Sequence, residues 1–384
     1  MYNQLILNDT DYIRYYCIKK RRFLNEKEAC DLNKITNANT YKNYVQNGLN
    51  PLRSPGNYNY FNQIAAIPPR TQASLEKTYY KVTSNLKTFK INYSYTINDL
   101  NDYVEKLISK YSKKTFAVEL SGGLDSSLII EFLLKFNIKP VLIGYASNEF
   151  EFRTERKIQE YYTNKGCITE FLEMEDYPLF SDLKKIPKHP IPSSPALWFR
   201  RHQIVAELAK KHGADIVFSG EAGDQLFGFR NDIKDGDDVP LQFGYWCLSQ
   251  TWINQYVYNK LHMSYVSALA LGRLPSILLS LRKNQDDDPM KLWARNYFKH
   301  CLPLNLSEYA YVAFFDRWFI NGLKHAVDDI GELCRYAYRL TAITDLEPTL
   351  INVKTYQYGQ MSEYEKKQYL LNITYAAWLY SNRH

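Results

Sequence analysis

A chain of 384 residues is long enough for two domains and a large buried core. With 45% apolar and 23% charged residues it has the composition of a globular protein rather than a disordered one. The net charge of +7 is spread without a basic block, which suits an anionic small molecule and argues against a nucleic-acid-binding stripe.

The elements are read in chain order. Residues 1–95 are polar, Asn- and Tyr-rich, and punctuated by Pro51, Pro55, Gly56, Pro68 and Pro69. Short alternating runs at 4–7 and 79–82 predict a small β-rich or mixed N-terminal unit. From Asp99 the pattern sharpens. Helical periodicity covers 100–110, 125–136, 153–165 and 198–212. Buried-strand runs fall between the helices at 115–120, 140–146, 167–172 and 215–219. Strands alternating with helices predict a parallel sheet with right-handed crossovers, and such sheets bind ligands beyond the carboxyl ends of their strands. Strand signals fade after about residue 240, where 252–280, 290–300, 309–323 and 330–340 read as helices. The expected fold is therefore α/β, with a parallel sheet, a helical C-terminal part and a small N-terminal unit. The expected boundaries are 1–95 and 96–384.

The six cysteines, Cys17, Cys30, Cys167, Cys247, Cys301 and Cys334, form no CxxC pair and read as reduced thiols of a cytoplasmic protein. The opening MYNQLILNDTDYIRYY lacks a signal-peptide pattern. The most apolar stretch, 266–281, is broken by Arg273 and Pro275, so no membrane span is expected.

Two loops carry the chemistry. Leu120-Ser121-Gly122-Gly123-Leu124-Asp125-Ser126-Ser127 joins a strand to a helix. The paired glycines let the backbone approach an anion, and the helix start offers it N–H groups and a positive dipole end. Ser121, Ser126 and Ser127 offer hydroxyls. A carboxylate beside a phosphate calls for an intervening cation, so Asp125 implies Mg²⁺. The GK[ST] ending of a Walker A loop is absent. The second loop, Ser219-Gly220-Glu221-Ala222-Gly223-Asp224-Gln225-Leu226-Phe227-Gly228, also follows a buried strand. Its glycines free the backbone, and Asp224 offers a second carboxylate for the same metal.

Ser121 to Ser127 resembles the SGGLDS pyrophosphate loop of the N-type ATP pyrophosphatases. With SGEAGDQLFG it is similar to the synthetase domain of the asparagine synthetase family, which includes β-lactam synthetases and lasso peptide cyclases. The resemblance runs from about residue 100 to 360. It implies that ATP is cleaved to AMP and pyrophosphate, that a carboxylate becomes an acyl-adenylate, and that a nitrogen nucleophile forms an amide. It assigns Ser121, Gly122, Gly123, Asp125, Ser126 and Ser127 to the pyrophosphate loop, with Gly220 and Glu221 beside it. Asp125 and Asp224 become the metal-linked carboxylates, and Ile143 and Gly144 lie on the strand whose backbone flanks adenine. Lys354, in Asn352-Val353-Lys354-Thr355-Tyr356, matches the late lysine that neutralises charge on the α-phosphate and departing pyrophosphate, where a preplaced cation is most effective.

The chain departs from the family in three places. Position 2 is Tyr2, not a nucleophilic Cys, and the N-terminal portion is about half the expected length. No glutaminase activity is expected, and 1–95 reads as a remnant of that domain. Gln225 stands where asparagine synthetases carry Glu. Lys299 aligns where they place a Glu near the turn at Pro303-Leu304, leaving Glu308 or His300 as substitute bases. These departures favour an amine already carried by the substrate, as in lactam and macrolactam formation, and natural-product biosynthesis. The partners would be a carboxylate substrate such as a precursor peptide, and a protease or leader-binding protein, with neither nucleic acid nor membrane. Trp246, Trp252, Tyr256 and Tyr258 are candidates to line a peptide groove. The alternatives are ammonia-dependent amidation of a small acid, a degenerate ATP-binding partner protein, and tRNA modification, for which a Cys pair or basic appendage is missing.

Overall fold

The computed structural model describes residues 4–8, 14–32, 41, 57–59, 64–67, 71–75, 79–84, 92–146, 153–173, 175–190, 192–228, 256–282, 291–303, 315–347 and 362–383. Its organising element is a five-stranded, all-parallel sheet. The strand order is Ile168–Glu173, Val141–Ala146, Phe116–Leu120, Ile216–Ser219, Ser264–Ser267. Order reverses at Phe116–Leu120, whose neighbours are the next strand in sequence on one side and the fourth on the other. The loops that follow Leu120 and Ser219 thus open side by side, where doubly wound sheets form their ligand crevice.

Alternate residues of these strands feed two cores. Val118, Leu120, Leu142 and Phe218 pack with the helix Leu124–Lys135 on one face. Ala117, Ile143, Tyr145 and Val217 face the other, with the helix Phe199–Lys211. A strand buried on both faces reads as a continuous apolar run, which is why FAVEL and VLIGYA were legible. Helix Ile97–Ser109 starts at a capping box: Thr96 accepts from Asp99 N–H, and the Asp99 carboxylate accepts from Thr96 N–H at 2.7 Å.

The N-terminal residues form two antiparallel sheets. One orders Gln4–Asn8, Thr71–Leu75, Tyr79–Ser84, Asn57–Asn59; the other orders Arg22–Leu24, Arg14–Cys17, Ile64–Ile67. Tyr15, Ile64 and Ile67 share a core with Ile143 and with Trp378 of the last helix. Tyr41 donates to Asn372 Oδ1 at 2.6 Å and its ring meets Tyr375 edge-on.

One expectation for the C-terminal half is corrected, and one helix is added. Residues 252–280 are not one helix. Ser264–Ser267 is the fifth parallel strand, and after Gly272 (φ 54°) the helix Leu274–Leu281 begins with Pro275 in its first turn. A four-residue edge strand is too short to show a period of its own. The longest helix, Glu363–Arg383, went unread. Tyr369, Leu371, Ile373, Tyr375, Ala376, Ala377, Trp378 and Leu379 are all buried, so it lacks the one-sided stripe that marks a surface helix. Its signature was the start: Ser362 and Glu365 form a capping box, with Ser362 N–H donating to the carboxylate at 2.7 Å. Among the described residues no helix is long and apolar enough to cross a membrane. Cys17, Cys30, Cys167, Cys301 and Cys334 are free thiols; Cys247 lies outside the described residues.

Candidate active site

The first loop turns on Gly122, whose φ of 76° is open to glycine at little cost, and Gly123 forms the helix N-cap. Its serines divide in role. Ser126 and Ser127 are buried, at 1% and 0% exposure. The Ser126 hydroxyl is spent inside the loop, donating to Gly123 O and lying 3.1 Å from Ser121 Oγ. Ser127 packs against the helix Arg153–Asn164, where Tyr162 donates to its carbonyl at 3.3 Å. Ser121 alone presents an exposed side, so the expectation of three available hydroxyls narrows to one.

The second loop is pressed onto the first. A Cβ on Gly223 would lie 2.0 Å from Asp125 Cγ, and one on Gly220 would lie 2.9 Å from Ser126 N. These glycines serve close approach rather than backbone freedom. The left-handed residue of this loop is Ala222, at φ 78°, a conformation that L-residues seldom adopt and that clusters at functional sites. Gly223→Ala is expected to force the loops apart. The overpacking should cost about 1–3 kcal/mol, read as a lower melting temperature together with weakened nucleotide binding.

The two carboxylates meet. The Asp125 and Asp224 side chains, 17% and 71% exposed, converge on the ammonium of Lys291, which lies 2.5 Å from Asp125 Oδ2 and 2.7 Å from Asp224 Oδ1. Burial pushes the Asp125 carboxyl pKa up, and the Lys291 ammonium pulls it back. Burial alone would lower the Lys291 pKa, but the two carboxylates outweigh it and the net shift is upward. Asp125 Oδ1 is buried and has no hydrogen-bond partner among the described residues, an orphaned acceptor that fits a cation. No group of three or more His, Cys, Asp or Glu side chains among the described residues could hold a metal. Phosphate oxygens would have to complete the coordination of Mg²⁺.

Behind the second loop lies a polar cluster that sequence reasoning did not find. Tyr265, on the fifth strand, places its hydroxyl 3.1 Å from Glu119 Oε2 and 3.1 Å from Glu221 Oε1. Ser267 donates to Glu221 Oε2 at 3.2 Å. Arg201 Nη2 is 3.5 Å from Glu119 Oε2, and its Nε donates to Tyr145 at 2.8 Å. The Tyr265 hydroxyl thus lies between two carboxyls, with Arg201 beside Glu119 and Ser267 donating to Glu221. Burial, then the charge of Glu119, pushes the Glu221 carboxyl up to about 8, against Arg201, Tyr265 and Ser267. No local motif marks Tyr265, Ser267 or Lys291, because they reach the site only through the fold.

The remaining expectations fall as follows. Ile143 is fully buried, and its strand is paired on both sides, with Ile143 opposite Glu170 and Glu119. Gly144 lies under the Gln159 amide. Both sit within the ladder, so Tyr145 and Ala146 are nearer the strand's open end. Lys299 and His300 are exposed, and His300 lines a cleft with Glu131 and Lys135 at the far end of helix Leu124–Lys135. At 1.5 Å per residue that is about 15 Å from its N-terminus. Tyr258 is fully buried and stacks on Tyr265 at 4.8 Å, so it does not line a groove. Lys354, Glu308, Trp246 and Trp252 lie outside the described residues.

Residues 99–230 match the family model of asparagine synthase. The match spans both loops and supports an ATP-dependent amidation or ligation by this part of the chain. Solved structures similar to the chain include NMN synthetase from Francisella tularensis, at 14% identity and TM-score 0.31, covering 55% of this chain and 75% of that one. NAD+ synthetase from Burkholderia pseudomallei is similar at 12% identity and TM-score 0.26, covering 56% of this chain and 91% of that one. No curated protein sequence matches the chain.

Proposed function

We propose that the chain is an AMP-forming carbon–nitrogen ligase that activates a carboxylate as an acyl-adenylate and joins it to an amine carried by the same substrate, giving a lactam or macrolactam. The observation that supports this best is the convergence of Asp125 and Asp224 on one cation position, where two glycine-bearing loops interlock at the sheet's switch point.

In this reading Ser121, Gly122, Gly123 and the start of helix Leu124–Lys135 hold the pyrophosphate portion of ATP. Asp125 and Asp224 would hold Mg²⁺, which would neutralise phosphate charge. Lys354, which the resemblance assigns to the α-phosphate, would neutralise charge as it builds on the bridging oxygen. The attacking amine must lose a proton, and Glu221 is the base: a carboxylate poised near 8 accepts a proton far better than one at its ordinary value. Tyr265 passes hydrogen-bonding between Glu221 and Glu119 and fixes the orientation of Glu221. In this reading Glu221 takes that role in place of His300, which is exposed at the far end of helix Leu124–Lys135. An amine already on the substrate is held near the adenylate, and such proximity substitutes for a high concentration of free ammonia. A precursor peptide with an internal amine is the substrate this favours, together with a protease or leader-binding protein that prepares it.

The test is ATP–pyrophosphate exchange with the full chain over a panel of acids that includes peptides bearing an internal amine. Exchange that depends on such a peptide, with cyclised product seen by mass spectrometry, bears the reading out. Amide formed only from free ammonia and a small acid would favour the ammonia-dependent alternative. ATP binding without exchange for any acid would favour a degenerate nucleotide-binding partner protein. Ser121→Ala is expected to lower exchange roughly 10²-fold, the loss typical of one oxyanion-type donor, with the melting temperature unchanged.

A further inference from the structure

Lys291 belongs to neither loop motif, yet it is the side chain that joins them. Its side chain is only 12% exposed, and its ammonium bonds to both carboxylates, at 2.5 and 2.7 Å. The backbone is bent to bring it there. Lys291 has φ 54° and ψ 37°, in the left-handed region, immediately before the helix Leu292–Tyr297. A lysine gains nothing locally from that conformation, so its surroundings must hold it. The helix that follows does so. Arg295 N–H donates to Lys291 O at 3.0 Å. Trp293 donates its indole N–H to Phe227 O at 3.1 Å and packs its ring on Phe227 at 5.7 Å. The helix that presents Lys291 is thereby tied to the helix Gly223–Phe227 that presents Asp224.

The two carboxylate oxygens that converge, Asp125 Oδ2 and Asp224 Oδ1, are both held by the ammonium. Asp125 Oδ1, without a partner among the described residues, is left as a single orphaned acceptor. A divalent ion demands several oxygen ligands at about 2.1 Å, and like charge repels it from an ammonium at close range. We infer that Lys291 is the resident cation of this site, joining Asp125 to Asp224 in the nucleotide-free chain and excluding divalent metal until nucleotide brings phosphate oxygens to both. Once the triphosphate arrives, its oxygens accept from the ammonium and release the carboxylates to the metal. This rests on the reading of the site as a nucleotide site.

The experiment titrates Mn²⁺ into the full chain without nucleotide and follows the electron paramagnetic resonance signal of the free ion. Wild type and Lys291→Arg should bind weakly and alike. Lys291→Met and Lys291→Gln, which vacate the cation position, should bind at least about tenfold more tightly, a shift equivalent to about 1.4 kcal/mol. Adding α,β-methylene-ATP should bring Mn²⁺ onto the wild type. Circular dichroism and a melt establish that each variant is folded, and two neutral variants guard against one that is not. Tight Mn²⁺ binding by nucleotide-free wild type overturns the inference, as does equal Mn²⁺ affinity in the folded neutral variants. Failure of the underlying reading shows separately, as no binding of the ATP analogue to the wild type, while the comparison of Mn²⁺ affinities still decides Lys291.

Discussion

Asp125→Ala is expected to abolish AMP release, lowering exchange on the order of 10³-fold or more, in a protein that still folds. Asp125 stands in the first turn of the helix Leu124–Lys135, proposed to receive the pyrophosphate, where a carboxylate also suits the helix dipole. Its loss removes one arm of the cation position and the surface on which Gly223 rests. Alanine also leaves the Lys291 side chain, 12% exposed, paired with Asp224. Breaking a buried pair from one side costs about 3–5 kcal/mol. Asp224 is well solvated, which should moderate that figure. Asp125→Asn keeps the shape and removes the charge, so it separates the two effects. It should lose exchange as fully as alanine while melting closer to the wild type. Exchange at the wild-type rate in either folded variant would remove Asp125 from the mechanism.

Glu221→Gln is expected to lower the rate of amide formation by about 10²- to 10⁴-fold, the range for loss of a general base. The adenylation half-reaction, read by pyrophosphate exchange, should change far less. The pH dependence carries the sharper signature. A base must be deprotonated to act, so wild-type amide formation should rise with pH and level off above about 8. That limb should vanish in Glu221→Gln. Stability runs the opposite way. The folded carboxyl keeps its proton up to about 8, whereas the unfolded one loses it near 4.5. Between those values the folded state binds more protons, so this group's contribution falls as pH rises through the window. Melts of the wild type between pH 5 and pH 9 should show a decline that Glu221→Gln lacks. A pH–rate profile that is the same in both proteins would assign the proton transfer to another group.

The sequence carried the core of the sheet because the signal there is local. FAVEL, VLIGYA and DIVFS are apolar runs set between helical periods, and the strands Phe116–Leu120, Val141–Ala146 and Ile216–Ser219 form there. Two loops following such strands, each with glycines and an acid, could be read as one site before any coordinates, because parallel strands deliver their carboxyl ends to a common edge. What failed was short or symmetric. Ser264–Ser267 is a short edge strand of mixed burial with serine at both ends, and the middle of Glu363–Arg383 is buried on nearly every side, so neither shows a clear pattern.

By itself, then, the sequence determined that Ser121-Gly122-Gly123 and Asp125 stand on a glycine-bearing strand-to-helix loop and that Asp224 stands on a sister loop. Glycine spacing and a strand-to-helix junction are properties of a dozen consecutive residues. Only the tertiary structure decided what those carboxylates touch. Lys291 reaches Asp125 across 166 positions of chain, and Tyr265 reaches Glu119 across 146. No local pattern encodes such pairings. They exist because the fifth strand and the helix after Lys291 dock on the sheet, and because buried charges persist only where a partner is brought to them.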